Sequence, residues 1–301
     1  MITIAVGRAS DSEVIRNLTS LFDRCLAEDL CDVALQLPRR LSVELDRVLQ
    51  GFLAGPLRLW AWFPSGVAAR YVEMFVDAGQ RVTLGLSGLN RLPSVLSSAV
   101  WTGAAPWQIG VFLPMTQPKA SLPAGFAPQS GTSLILGVGW TDMGSGPVAA
   151  PRPQQRDWAQ AIIDVICWCT RHKVTVQLAC GLPLCLFSTE QLGQIALLKV
   201  RTPLATCAPD LVITQNAEVR ACPMLPGQSL NSIAEPMNLR ALKRDLMTGY
   251  GCFAGFCGCE GEIGCRSLSS GACGGGCLAI NAAKWRRGAT AGASGSVVLA
   301  S

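Results

Sequence analysis

Six cysteines crowd the stretch GCFAGFCGCEGEIGCRSLSSGACGGGCLAI, Gly251 to Ile280, and two more precede it at Cys207 and Cys222. The set Cys207, Cys222, Cys252, Cys257, Cys259, Cys265, Cys273 and Cys277 is large enough for two four-thiolate sites. Soft sulfur ligands without histidine suit zinc or iron–sulfur clusters. A zinc ribbon presents two close pairs, whereas this stretch reads C-x-C, a gap of five residues, a gap of seven and then CGGGC. Glycines such as Gly258, Gly264 and Gly274 would let the backbone wrap closely around a cofactor and aim N–H groups at its sulfurs. Upstream, CAPDLVITQNAEVRACPMLPG reads as a strand, a turn at Gln215-Asn216-Ala217 and a return strand. Such a hairpin would bring Cys207 and Cys222 toward one end. The remaining cysteines, Cys25, Cys31, Cys167, Cys169, Cys180 and Cys185, lie in or beside apolar runs and read as small hydrophobes.

Other chemistries have less support. His172 is the one histidine in the chain, so a His-rich metal site is excluded. It falls between a helix end and a strand start, the place of a helix-terminal cation more than of a base. Cys167 and Cys169 are two apart on a predicted helix and point to different faces, unlike a C-x-x-C redox pair. No GxGxxG follows a strand and no GxxxxGK is present, which argues against a nucleotide site. Trp60 and Trp62 alternate with Leu59 and Ala61 and read as sheet residues before they read as a peptide-binding face.

The elements that must position these residues follow from periodicity. Strands are predicted at MITIAV, DVALQL, LRLWAWF, RVTLGLS, WQIGVFL, SLILGVGW and KVTVQL. Helices are predicted at DSEVIRNLTSLFDRCLAE, SVELDRVLQGFLA, GVAARYVEMFVDAG and RDWAQAIIDVICWCTR. In the first helix Val14, Leu18, Leu21 and Cys25 share a face. Alternation of this kind predicts βα units and a parallel sheet, arranged as a partial or complete β/α barrel, with a doubly wound sheet as the alternative. Pro114 to Ser133 and Asp142 to Asp157 are rich in Pro, Gly and Ser and read as surface loops. From Cys207 onward the helical alternation fades.

Half of the 301 residues are hydrophobic and the formal net charge is +5. The positive charge is spread without a dense Lys/Arg block, so nucleic acid is not the expected partner. No apolar run approaches the roughly 20 residues of a membrane span. The start, MITIAVGRASDSEV, lacks the basic head of a secretory signal. The expected location is the cytoplasm, where thiols stay reduced and cysteines are more often ligands than disulfides.

The run from Cys207 to Pro236, followed by CGCEGEIGCRSLSSGACGGGC, resembles the SPASM region of radical S-adenosylmethionine (SAM) enzymes that modify peptides. The stretch from Cys31 to Gly88 is similar to barrel units of that family, with Pro38 where a GGEP motif would end. The resemblance implies auxiliary 4Fe-4S clusters, one or two, held by the eight cysteines. It is a degenerate likeness. The CxxxCxxC motif that binds the SAM-cleaving cluster is missing, GRASDS standing in its place, and the GGEP position reads Leu35-Gln36-Leu37-Pro38. SAM is therefore not an expected cofactor and no catalytic residue is assigned.

The expected organisation is a degenerate radical-SAM-like β/α barrel over residues 1–201, a SPASM-like cluster-binding domain over 202–287 and a flexible tail over 288–301. The implied function is a non-catalytic iron–sulfur protein in peptide or protein maturation, partnering an active radical SAM enzyme or presenting a peptide or protein substrate. An active radical SAM peptide-modifying enzyme and a structural zinc-binding protein are the alternatives.

Overall fold

The computed structural model describes residues 2–6, 12–30, 32–86, 108–117, 132–138, 156–180, 182, 184–198, 211–214, 218–222, 225, 228–229 and 238–250. Seven strands lie where the alternation places them: β1 (Ile2–Ala5), β2 (Asp32–Gln36), β3 (Arg58–Phe63), β4 (Arg81–Gly85), β5 (Ile109–Met115), β6 (Ser133–Val138) and β7 (Thr175–Leu178). The predicted helices are α1 (Ser12–Ala27), α2 (Val43–Leu53), α3 (Ala69–Asp77) and α4 (Arg156–Arg171). The hairpin strands are β8 (Leu211–Thr214) and β9 (Glu218–Arg220), followed by the short β10 (Gln228–Ser229). Two helices escape the sequence reading, α5 (Thr189–Leu197) and α6 (Leu239–Tyr250).

All ten strands form one sheet, in the order β10-β9-β8-β1-β2-β3-β4-β5-β6-β7. Strands β1 to β7 are parallel, each beside the next in sequence. Right-handed crossovers that always step the same way put their helices on one face. The packing agrees. Leu18, Phe22 and Cys25 of α1, Leu45 and Leu49 of α2 and Phe75 of α3 share a core with Ile4, Leu35, Leu59, Phe63 and Val82. A second core joins α4 and α5 to Val111, Leu113, Leu134, Leu136 and Val176.

Local signals place the helix ends. Ser42 Oγ accepts from Leu45 N at 3.2 Å at the start of α2, and Ser188 with Gln191 forms a capping box on α5. At the end of α3, Gly79 takes φ +71° while Gly79 N and Gln80 N donate to Val76 O and Phe75 O. That is the left-handed C-terminal cap for which glycine is suited.

Two parts of the expected fold are corrected. The chain is α/β with a mostly parallel, mixed sheet, and among the described residues no strand pairing closes it into a barrel. The reason is visible at β1. Its outer edge, which closure would need, is taken by β8, paired in parallel from Ile2↔Leu211 to Ala5↔Thr214. Antiparallel β9 then continues the sheet. The second correction concerns the cysteine-rich iron–sulfur domain, which finds no counterpart among the described residues: they contain no group of three or more His, Cys, Asp or Glu side chains able to hold a metal ion. The expected boundary at 201–202, the tail and most of both Pro/Gly/Ser-rich loops lie outside the described residues. Leu211, Ile213, Leu239, Leu242 and Leu246 belong to the same core as β1 to β4.

No described helix is long and apolar enough to cross a membrane.

Candidate binding face

Strand alternation sends Leu59, Ala61 and Phe63 into the helix-side core, so Trp60 and Trp62 stand on the opposite face of β3. There they are only partly buried, and they pack with Phe112 and Ile135, which are 1% and 4% exposed. The Trp60 and Trp62 ring centroids are 5.1 Å apart and tilted by 51°. Trp62 and Phe112 follow at 6.1 Å and 49°. Both separations fall in the range of roughly 4.5–7 Å over which aromatic pairs attract.

Phe112 lies on β5, two strands from Trp62, or about 9.6 Å at the usual strand spacing. The rings meet because the residues between them are small. Trp62 is paired with Thr83, and Gly85 with Phe112. Thr83 itself is fully buried. Its Oγ1 accepts from Trp60 Nε1 at 2.8 Å, fixing the indole. Gly110 sits beside Thr83 in register, and a Cβ there would lie 2.7 Å from Thr83 Oγ1 and 3.2 Å from Ser133 Oγ. Glycine is required by that approach.

Polar groups line the same face. Gln36 ends β2 in register with Trp62. Trp62 Nε1 is buried and has no hydrogen-bond acceptor among the described residues, a state that costs roughly 1–3 kcal/mol for a polar group shut away from water. The Arg81 guanidinium lies 4.4 Å over the Trp60 ring. Asp32 and Arg58, which share this face by alternation, form an exposed ion pair at 2.8 Å. Glu218 and Arg220 form a part-buried one at 2.6 Å.

Of the eight expected ligands, Cys222 alone lies among the described residues, and it is buried in the helix-side core with Val219, Ala221 and Leu225. Cys207, Cys252, Cys257, Cys259, Cys265, Cys273 and Cys277 lie outside them. Cys25 and Cys169 are fully buried. Burial pushes the Cys25 thiol up to about 11, with Glu28 adding to the rise and Arg24 opposing it. Burial alone pushes Cys169 up to about 12. Both are protonated at neutral pH and enclosed, so they act as packing groups and not as nucleophiles. Cys167 is partly buried on the same helix. His172 directly follows α4, its ring 4.6 Å from that of Trp168.

No protein-family model, characterised protein or solved structure matches the chain. With no metal-capable cluster among the described residues, the likeness to radical SAM enzymes with a SPASM domain is withdrawn. The 4Fe-4S cofactors and the iron–sulfur, radical-SAM-like function inferred from it fall with it. The physical reason is that cysteine count and glycine content are compatible with ligation without requiring it. The described thiols are instead explained by apolar packing.

The sequence reading passed over Arg81, Thr83, Gly110 and Phe112, and named Gln36 only as part of the altered GGEP position. Its one signal was the Trp60/Trp62 alternation, which marks a face without naming its neighbours.

Proposed function

We propose that the protein is a binding protein whose sheet face opposite the helices receives an extended peptide segment of a protein partner. The observation that carries this is the ring strip Trp60–Trp62–Phe112, whose two indoles are partly exposed while Phe112 is buried, and whose buried Trp62 N–H has no acceptor among the described residues. Rings of this kind supply rigid apolar contact at low entropic cost, and peptide carbonyls supply acceptors.

The reading is tested by panning a displayed library of random twelve-residue peptides on the wild-type chain, with Trp62→Leu as the counter-selecting bait. The expected outcome is a shared motif whose synthetic peptide binds wild type at least about tenfold more tightly than the variant, the loss of one buried aromatic anchor. An unchanged denaturation midpoint establishes that Trp62→Leu is folded. Enriched peptides that bind both proteins equally, or no enrichment, refute the proposal.

A further inference from the structure

We infer that the segment received by this face is acidic and that Arg81 selects it; this rests on the peptide-binding reading above. Charge on the face is uneven. The Asp32–Arg58 and Glu218–Arg220 pairs neutralise themselves. Arg81 has no carboxylate at ion-pair distance among the described residues, and it is exposed. The contact over the Trp60 ring at 4.4 Å holds its guanidinium beside the aromatic strip without neutralising the charge. A guanidinium held over a ring keeps its N–H edges available, and those edges match a carboxylate in two-point geometry. Trp60 is in turn held by its bond to Thr83, which is fully buried. The cation and the apolar strip therefore occupy fixed relative positions, and a peptide with an aromatic or aliphatic side chain next to Glu or Asp satisfies both.

Sequencing of the peptide pools from the same library, panned on wild type, Arg81→Gln and Arg81→Lys, tests this. The wild-type pool should shift toward net negative charge relative to the input, Arg81→Lys should retain much of the shift, and Arg81→Gln should lose it. A synthetic peptide from the wild-type pool should bind about fivefold more weakly when its Glu is replaced by Gln, and this difference should vanish with Arg81→Gln. A Trp62-dependent pool of neutral or basic peptides would overturn the inference and leave the peptide-binding reading intact. Loss of Trp62 dependence would overturn both. Binding of a twenty-residue single-stranded oligothymidine, tighter than any peptide and lost with Arg81→Gln, would overturn the acidic peptide in favour of a phosphate backbone.

Discussion

Replacement of Glu28 by Ala should weaken the fold by about 2 kcal/mol, almost all of it through a helix that begins 211 residues later. Glu28 lies just past the end of α1, its side chain 16% exposed. Both carboxylate oxygens accept from Leu239 N, at 2.8 and 3.0 Å, at the first residue of α6. Leu239 is 1% exposed, so its N–H has no ready access to water once the carboxylate is gone. A hydrogen bond to a charged group contributes about 1.5–3 kcal/mol, and a negative charge at a helix N-terminus adds a favourable dipole interaction. Asn238 Oδ1 still accepts from Arg240 N and Ala241 N at 2.8 and 3.0 Å, which keeps the loss toward the middle of that range. The contact from Arg24 Nε to Glu28 at 3.4 Å is an i,i+4 pair of about 0.3–0.5 kcal/mol. Arg24→Ala therefore separates the two effects. Chemical denaturation should give about 2 kcal/mol for Glu28→Ala and about half a kcal/mol for Arg24→Ala. Hydrogen exchange of α6 amides should accelerate about 30-fold in Glu28→Ala. A Glu28→Ala variant no weaker than Arg24→Ala, with α6 exchange unchanged, would refute the capping argument.

Gly110→Ala should destabilise by about 1–3 kcal/mol, because its Cβ is forced to within 2.7 Å of Thr83 Oγ1. The cost should shrink in a Thr83→Ala background, where that oxygen is absent, and additive effects in the double-mutant cycle would count against the packing account. Stability should fall as pH rises above about 9, since the unfolded thiols ionise near 9.0 while folded Cys25 and Cys169 hold their protons to about 11 and about 12. These groups have raised folded pKa values, so their contribution is complete below pH 9 and is lost through the interval above it. Urea midpoints from pH 7 to 10.5 should decline less steeply in Cys169→Ala than in wild type, and parallel curves would exclude the thiol as a cause.

What the sequence determined was local. Period-two runs such as Leu59 to Phe63 and period-3.6 faces such as Leu18, Leu21, Phe22 and Cys25 fix their own secondary structure, because the backbone repeat decides which side chains share a face. That reading nevertheless missed α5 and α6, whose signals were a single Ser188/Gln191 capping pair and Asn238 before Leu239, Leu242 and Leu246. Strand order was not legible. Nothing near Ile2 in the chain says that Leu211 will occupy its outer edge, yet that pairing leaves the barrel open. Trp60 and Trp62 declare a common face, but their meeting with Phe112 depends on two intervening positions, Thr83 and Gly85, being small and in register. The cysteines gave the least secure guide, since a thiol can ligate, react or fill space, and only its surroundings choose. Burial of Cys25, Cys169 and Cys222 among apolar side chains is a property of the packed core, which forms from residues far apart along the chain.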